Sequence, residues 1–126
     1  MKINWNDFKK IEIRVGTIVS VVDFKESKNK SYILKIDFGK TIGIKKSSSQ
    51  ITGLYSKSDL IDKQILAIVN LSAKQIGHIM SECLVLGFYD NHKQVKLAIP
   101  DGLVSNGALL VWVLFRIIYD IKYDHK

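Results

Sequence analysis

The sequence predicts a mainly β protein: a small closed barrel of five strands, with a short helix in front and a helical insertion between the third and fourth strands. Three observations predict it. Short runs rich in β-branched residues recur with turn residues between them. Residues 31–39 alternate strictly between apolar and polar positions. Residues 11–24 lose their alternation after an internal glycine, as a strand does when it bends to serve two sides of a barrel.

The opening residues, MKINWNDFKK, predict a short amphipathic helix with Trp5 and Phe8 three apart and Asn4 or Asp7 placed to cap it. In the next run, IEIRVGTIVSVVDF, Ile11, Ile13 and Val15 share a face that Glu12 and Arg14 do not. After Gly16 the phase slips through Ile18, Val19, Val21 and Val22, so a bulge or sharp bend is expected at the glycine. KESKNK reads as a turn. Tyr32, Leu34, Ile36 and Phe38 then line one face of a strand, with Ile33, Lys35 and Asp37 on the other, and residues 41–47 repeat the pattern with Ile42 and Ile44. Residues 58–63 read as one or two helical turns, and 64–71 as a continuous apolar strand covered on both faces. Residues 82–88 and 94–99 form a hairpin around Asp90 and Asn91. Five or six short strands with one helical insertion is the outline of an OB-type barrel.

The 126 residues fit one domain over 1–126, and a hydrophobic fraction of 47% supports one core. The lone cysteine, Cys83, excludes an internal disulfide and fits a reducing compartment. The N-terminal residues lack the apolar core and small-residue cleavage site of a signal peptide. The apolar run 109–115, continued past Arg116 to Tyr119, is shorter than the roughly 20 residues a spanning helix needs. A cytoplasmic protein without membrane insertion is expected. The net charge of +7 points to a polyanionic partner, RNA or an anionic surface, against the plain alternative of a solvated basic exterior.

Several runs resemble one known family. Residues 13–19, IRVGTIV, are similar to the D-I-R-V-G-x-I signature that opens the tRNA-binding OB domain family, with Glu12 in place of the aspartate. Residues 32–39 resemble its L-x-I-D-x-G strand. Residues 64–71, with Ser81 eleven residues after Asn70, resemble its V-x-N-L … S-x-x-L-V-L block. Residues 42–52, IGIKKSSSQIT, are densest in matches to the CsaA-like group. The resemblance covers about residues 7–107. It implies an OB-fold homodimer that binds tRNA by shape and backbone. For the CsaA-like group it also implies an export-related chaperone that binds unfolded or preprotein peptides and works with secretion machinery. Related domains are fused to aminoacyl-tRNA synthetases, so a synthetase adaptor is a third reading. The sequence departs from the pattern at Ala73 and Ser105, where the family has proline, and at His78, where it has glycine one place after Gly77. If that position needs a positive φ, histidine fits it less well.

The basic end of the third strand, the loop after Asn70 and the first hairpin, read together with the resemblance, supply the candidate RNA-binding residues Lys45, Lys46, Ser47, Gln50, Asn70, Lys74, Ser81 and Lys30. Cations near phosphates and short hydroxyls or amides are what a backbone-reading surface needs. Lys45 and Lys46 serve equally as guards of a strand edge, and Asn70 as a cap of its own loop. Lys28, Lys30 and Lys35 extend a positive track along the first hairpin or simply solvate it. Arg14 either faces the ligand or pairs with a carboxylate. Tyr32 and Tyr55 either stack bases or join the core. His78 has no second ligand at metal spacing, so no metal site and no cofactor is expected. Cys83 reads as an inert small hydrophobe, and without a nucleophile–base pattern no enzyme is expected. The divergent apolar tail, 109–126, either packs across a homodimer interface with Trp5 and Phe8 or replaces the ordinary ending without function.

Overall fold

The structure, a computed structural model, describes residues 1–25, 28 and 30–113. Helix α1 (Trp5–Lys9) starts on a capping box: Asn4 Oδ1 accepts from the Asp7 N–H, and the Asp7 carboxylate accepts from the Asn4 N–H. The strands β1 (Ile13–Asp23), β2 (Tyr32–Asp37) and β3 (Ile44–Ser49) follow. One helical turn, α2 (Lys57–Leu60), is capped by Ser56 and Asp59 in the same way. It is shorter than the insertion expected over 58–63. After it come β4 (Gln64–Ile68), β5 (Lys74–Ile76), β6 (Ile79–Ser81), β7 (Leu84–Val85), β8 (Gly87–Tyr89) and β9 (Val95–Leu97). The expected fold class holds: five strands form one antiparallel sheet in the order β3-β2-β1-β4-β7, curled into a nearly closed barrel.

Side chains help to close that barrel. The outer edge of β3 meets the end of β6 rather than a full strand. There Glu82 N–H donates to the Lys46 carbonyl (2.8 Å), Lys46 N–H to Glu82 Oε1 (2.9 Å) and Ser48 N–H to Ser81 Oγ (3.2 Å). A carboxylate and a hydroxyl thus replace two ladder carbonyls and leave no bare donors at the seam.

The alternation read in residues 31–39 sets the core. Leu34, Ile36, Ile18, Ile65, Ala67 and Leu60 are fully buried, and Tyr32 and Phe38 nearly so. The expected bend at Gly16 lies elsewhere. Gly16 pairs regularly with Ile65, and the register shifts between Ile18 and Ser20. Gly16 instead makes room: a Cβ there would come within 2.5 Å of Ile36 Cγ2 and 2.7 Å of Phe38. The irregularity falls about Val19, within the run where the phase slips but three residues beyond the glycine.

Three other expectations change. Ile44 is exposed, because the Leu34↔Ser47 and Ile36↔Lys45 pairs turn the odd-numbered residues of β3 inward. The apolar strand 64–71 ends at Ile68, leaving Leu71 exposed. Residues 74–81, where the sequence predicts no strand, form the β5–β6 hairpin. The positive φ falls on Gly77 (59°), so His78 is spared the strained position and packs edge-on to Phe24.

The first residues of the tail are tied to the barrel. Val15 N–H donates to the Ala108 carbonyl (2.9 Å) and Leu110 N–H to the Ile13 carbonyl (2.8 Å), so this segment runs beside the start of β1. It delivers Trp112 onto Trp5, ring centroids 5.1 Å apart, and Trp5 onto Phe8 at 5.5 Å. Trp5 therefore meets the tail within one chain, and Phe8 joins through its contact with Trp5. The rest of the tail, residues 114–126, lies outside the described residues.

Candidate nucleic-acid interface

Antiparallel pairing puts directly opposed residues on one face, about 5 Å apart at Cβ. In the β2–β3 hairpin this rule separates the two lysines read as a cluster. Lys45 lies opposite the fully buried Ile36 on the inner face and is half-buried, whereas Lys46 lies opposite Lys35 on the outer face, both exposed. Neither Lys35 nor Lys46 has an ion pair among the described residues; the pairs there are Lys10–Asp7, Arg14–Glu12 and Lys57–Asp23. Two like charges in register cost roughly 0.2–1 kcal/mol. The Glu82 carboxylate accepts from the Lys46 N–H and makes no ion pair with its ammonium group, and a polyanion would relieve the repulsion that is left.

The other candidates divide between surface and scaffold. Gln50 and Lys30 are exposed beyond the Tyr32↔Ser49 pair, at the end of the hairpin away from Lys35. Lys74 is exposed opposite Ser81, on the face of the β5–β6 hairpin shared with Ile76 and Ile79. Ser81 spends its acceptor on the barrel seam. Ser47 is buried with its hydroxyl 3.2 Å from that of Ser49, out of reach of a ligand on the outer face. Asn70 spans two chain segments: its Oδ1 accepts from the Glu12 N–H (3.0 Å) and its Nδ2 donates to the Lys10 carbonyl (2.7 Å), fixing the passage from α1 into β1. Lys30, Lys45, Lys46 and Lys74 thus do not converge on one spot. The structure brings together Lys46 and Lys35.

Both tyrosines weighed as base platforms serve the core. Tyr32 OH donates to the Tyr55 carbonyl (2.9 Å), and Tyr55 OH accepts from the Leu97 N–H (3.0 Å). Two rings of the β8–β9 hairpin are exposed instead, Phe88 at 68% and Tyr89 at 79% accessible, and Tyr89 is the one at a groove. Tyr89 lines a groove of about 460 Å³ between β3 and that hairpin, together with Ser48, Gln50, Lys93 and Gln94 over an apolar floor that includes Leu84 and Val95. The turn is organised by Asp90, whose Oδ1 accepts from the N–H groups of His92 (2.8 Å) and Gln94 (3.0 Å). These backbone donors, Gln94 first, hold its carboxyl below the usual carboxylate range. A depressed pKa means the contribution to stability is present above the unfolded value and is lost as pH falls through the folded one. Acid titration by NMR is expected to shift the His92 and Gln94 amides together as Asp90 protonates. Asp90→Asn, which keeps an acceptor, is expected to abolish that titration.

Cys83 is buried, its thiol pushed up to about 12 by burial, with the Lys45 charge opposing. Such a group is neither a nucleophile nor a ligand at neutral pH. Among the described residues, no three His, Cys, Asp or Glu side chains gather as a metal site would require, and no helix is long and apolar enough to cross a membrane.

The family model described as "Putative tRNA binding domain" matches residues 13–109. The chain belongs to the tRNA-binding domain family. Among solved structures, this tRNA-binding domain is similar to the CsaA chaperone protein of Picrophilus torridus: 50% identical, TM-score 0.83, covering 87% of this chain and 100% of that one. The chaperone CsaA of Bacillus anthracis is 38% identical with a TM-score of 0.82, over 88% and 100% of the two chains. The methionine–tRNA ligase of Thermococcus onnurineus is 34% identical over 111 residues, 84% of this chain and 14% of the ligase. The chain spans 13–14% of the length of such ligases.

In this tRNA-binding domain the signature residues build the scaffold. Arg14 donates to Glu12 Oε1 (3.0 Å) and to the Gly107 carbonyl (2.8 Å). Glu12, which stands just before β1 in the aspartate's place, thus pairs with the arginine two residues on rather than across the barrel. Thr17 Oγ1 (2.8 Å) and Gln64 Nε2 (3.1 Å) both donate to Asn106 Oδ1. Gln64 also exchanges hydrogen bonds with the Val104 backbone. Motif residues 89 or more positions apart in sequence, Arg14 with Gly107 and Thr17 with Asn106, latch the chain's end to β1. Lys35, by contrast, fills an open position of the L-x-I-D-x-G strand and reads in the sequence only as part of the first hairpin's positive track; the register is what sets it opposite Lys46.

Proposed function

We propose that this domain binds transfer RNA without chemistry of its own, holding the folded molecule by its phosphates and shape, in the cytoplasm and as a homodimer. The observation that carries the reading is the Lys35–Lys46 pair, two exposed lysines in register that make no ion pair among the described residues. Folded RNA presents phosphates and 2′-hydroxyls in its shallow groove, so lysines on a strand face are suited to it. Exposed Lys74, Lys30 and Gln50 are secondary contacts; Ser47 and Asn70 act through the scaffold. Filter-binding titrations with total tRNA at two salt concentrations test this. Affinity is expected to fall steeply with salt, and a salt-independent complex, or none, would sink the reading.

The dimer belongs to the same proposal. Trp5, Phe8 and Trp112 form a cluster with Trp5 41% and Trp112 42% accessible, beside exposed Ile11, Leu110 and Val111. An apolar patch of that kind on a soluble protein is suited to cover by a second copy. Trp5→Asp is expected to convert the dimer to a monomer in light scattering. An unchanged dimer would remove this face from the interface.

Likeness to the two CsaA chaperones supports a second reading, a peptide-binding, export-related chaperone working with secretion machinery. Its mark would be an affinity for unfolded chains that survives high salt.

A further inference from the structure

The groove between β3 and the β8–β9 hairpin has features the phosphate-reading face does not use. Its volume of about 460 Å³ suits a small ligand or one unit of a polymer. Tyr89 is 79% accessible and lies on the hairpin face shared with its partner Val95 and with buried Leu97. An aromatic ring that exposed contributes little to the core and offers its face to a ligand. Gln50 and Gln94 also line the groove, and among the described residues neither side-chain amide has a hydrogen-bond partner. Each presents a donor and an acceptor in one plane, the pattern that matches a base edge. Lys93 lines the groove as well, and no Asp or Glu does, so its charge complements a phosphate. Finally, the groove adjoins the basic face: Ser48 lines it and follows Lys46 by two residues on the same side of β3, roughly 7 Å along the strand.

We propose that this groove receives one unpaired nucleotide of the RNA whose backbone rests on Lys35 and Lys46, an inference that rests on the RNA-binding reading above. The base stacks on Tyr89 over the Leu84–Val95 floor, the Gln50 and Gln94 amides meet its edge, and Lys93 meets its phosphate. An extended peptide is the poorer fit. It would need open backbone donors on a strand edge, yet the Lys46 and Ser48 N–H groups of β3 are already taken by Glu82 and Ser81.

The test uses a single-stranded RNA hexamer carrying 2-aminopurine, alongside total tRNA, on the wild type, Tyr89→Ala, Tyr89→Phe and Lys46→Ala. Wild type and Tyr89→Phe are expected to quench the fluorescent base on binding. Tyr89→Ala is expected to lose the quench and roughly 5- to 100-fold in hexamer affinity, the value of one stacked base, with its salt slope unchanged. Lys46→Ala is expected to keep the quench and flatten the slope. Circular dichroism of Tyr89→Ala controls for folding. If Tyr89→Ala binds the hexamer as the wild type does while Lys46→Ala still weakens both RNAs, the groove assignment falls and the RNA reading stands. If neither RNA binds the wild type, both fall. If an unfolded apolar peptide binds in a Tyr89-dependent, salt-independent way and the hexamer does not displace it, the groove is a peptide site and the proposal is overturned.

Discussion

Replacing Lys35 and Lys46 together by alanine is expected to weaken the tRNA complex and flatten its salt dependence, while leaving folding stability unchanged or slightly raised. The two lysines lie opposite each other across β2 and β3, and neither makes an ion pair among the described residues. Each lysine that neutralises a phosphate contributes about 0.7–0.9 to the slope of log K against log salt, so the double variant is expected to lose roughly 1.4–1.8 of that slope. Stability moves the other way, because removing two opposed like charges relieves about 0.2–1 kcal/mol of repulsion. A general loss of structure would lower both quantities, and this opposition of sign separates binding from folding. Lys45→Ala is the internal control. Its side chain shares the inner face with Ile36, so the slope is expected to stay at the wild-type value. A double variant with an unchanged slope would show that the outer face of the hairpin does not meet phosphates.

Gly107→Ala is expected to destabilise the domain by about 2–5 kcal/mol, read as a lower urea midpoint at unchanged m. Gly107 has φ +92°, and a Cβ there would come within 2.6 Å of the Phe38 carbonyl oxygen. The left-handed backbone costs an L-residue about 1–2 kcal/mol, and overpacking against a neighbour that cannot rotate away adds about 1–3. The position also carries the latch, since its N–H donates to the Val15 carbonyl (2.7 Å) and its carbonyl accepts from Arg14. Gly43→Ala separates the two contributions. Gly43 has φ +82° with nothing within 4 Å of the added Cβ, so only the backbone cost of about 1–2 kcal/mol is expected. Equal losses at the two glycines would refute the steric argument.

The parts of the molecule legible in advance were those governed by local periodicity. The strict alternation of residues 31–39 identified Tyr32, Leu34, Ile36 and Phe38 as one face, and all are buried. Asn4 and Asp7 were read as alternative caps, and the helix uses both in one reciprocal box. Where the reading failed, the deciding contact was distant in sequence. Ile44 continues an apolar pattern along the chain, yet the pairing of β3 with β2 turns it outward. Asn70 was weighed as an RNA contact or a cap of its own loop, and its partners are Lys10 and Glu12, about sixty residues earlier. Tyr89 carried no motif and was passed over. Its exposure follows from how the β8–β9 hairpin sits on the barrel.

By itself the sequence determined the fold class, the family and the basic character of the protein, because charge, strand period and motif order are properties of the linear chain. The tertiary structure alone decided which lysines share a face and which side chains reach solvent. In a pleated strand neighbouring residues point to opposite sides, so Lys45 and Lys46, adjacent in the chain, part company, whereas Lys46 and Lys35, eleven residues apart, are brought opposite one another by register.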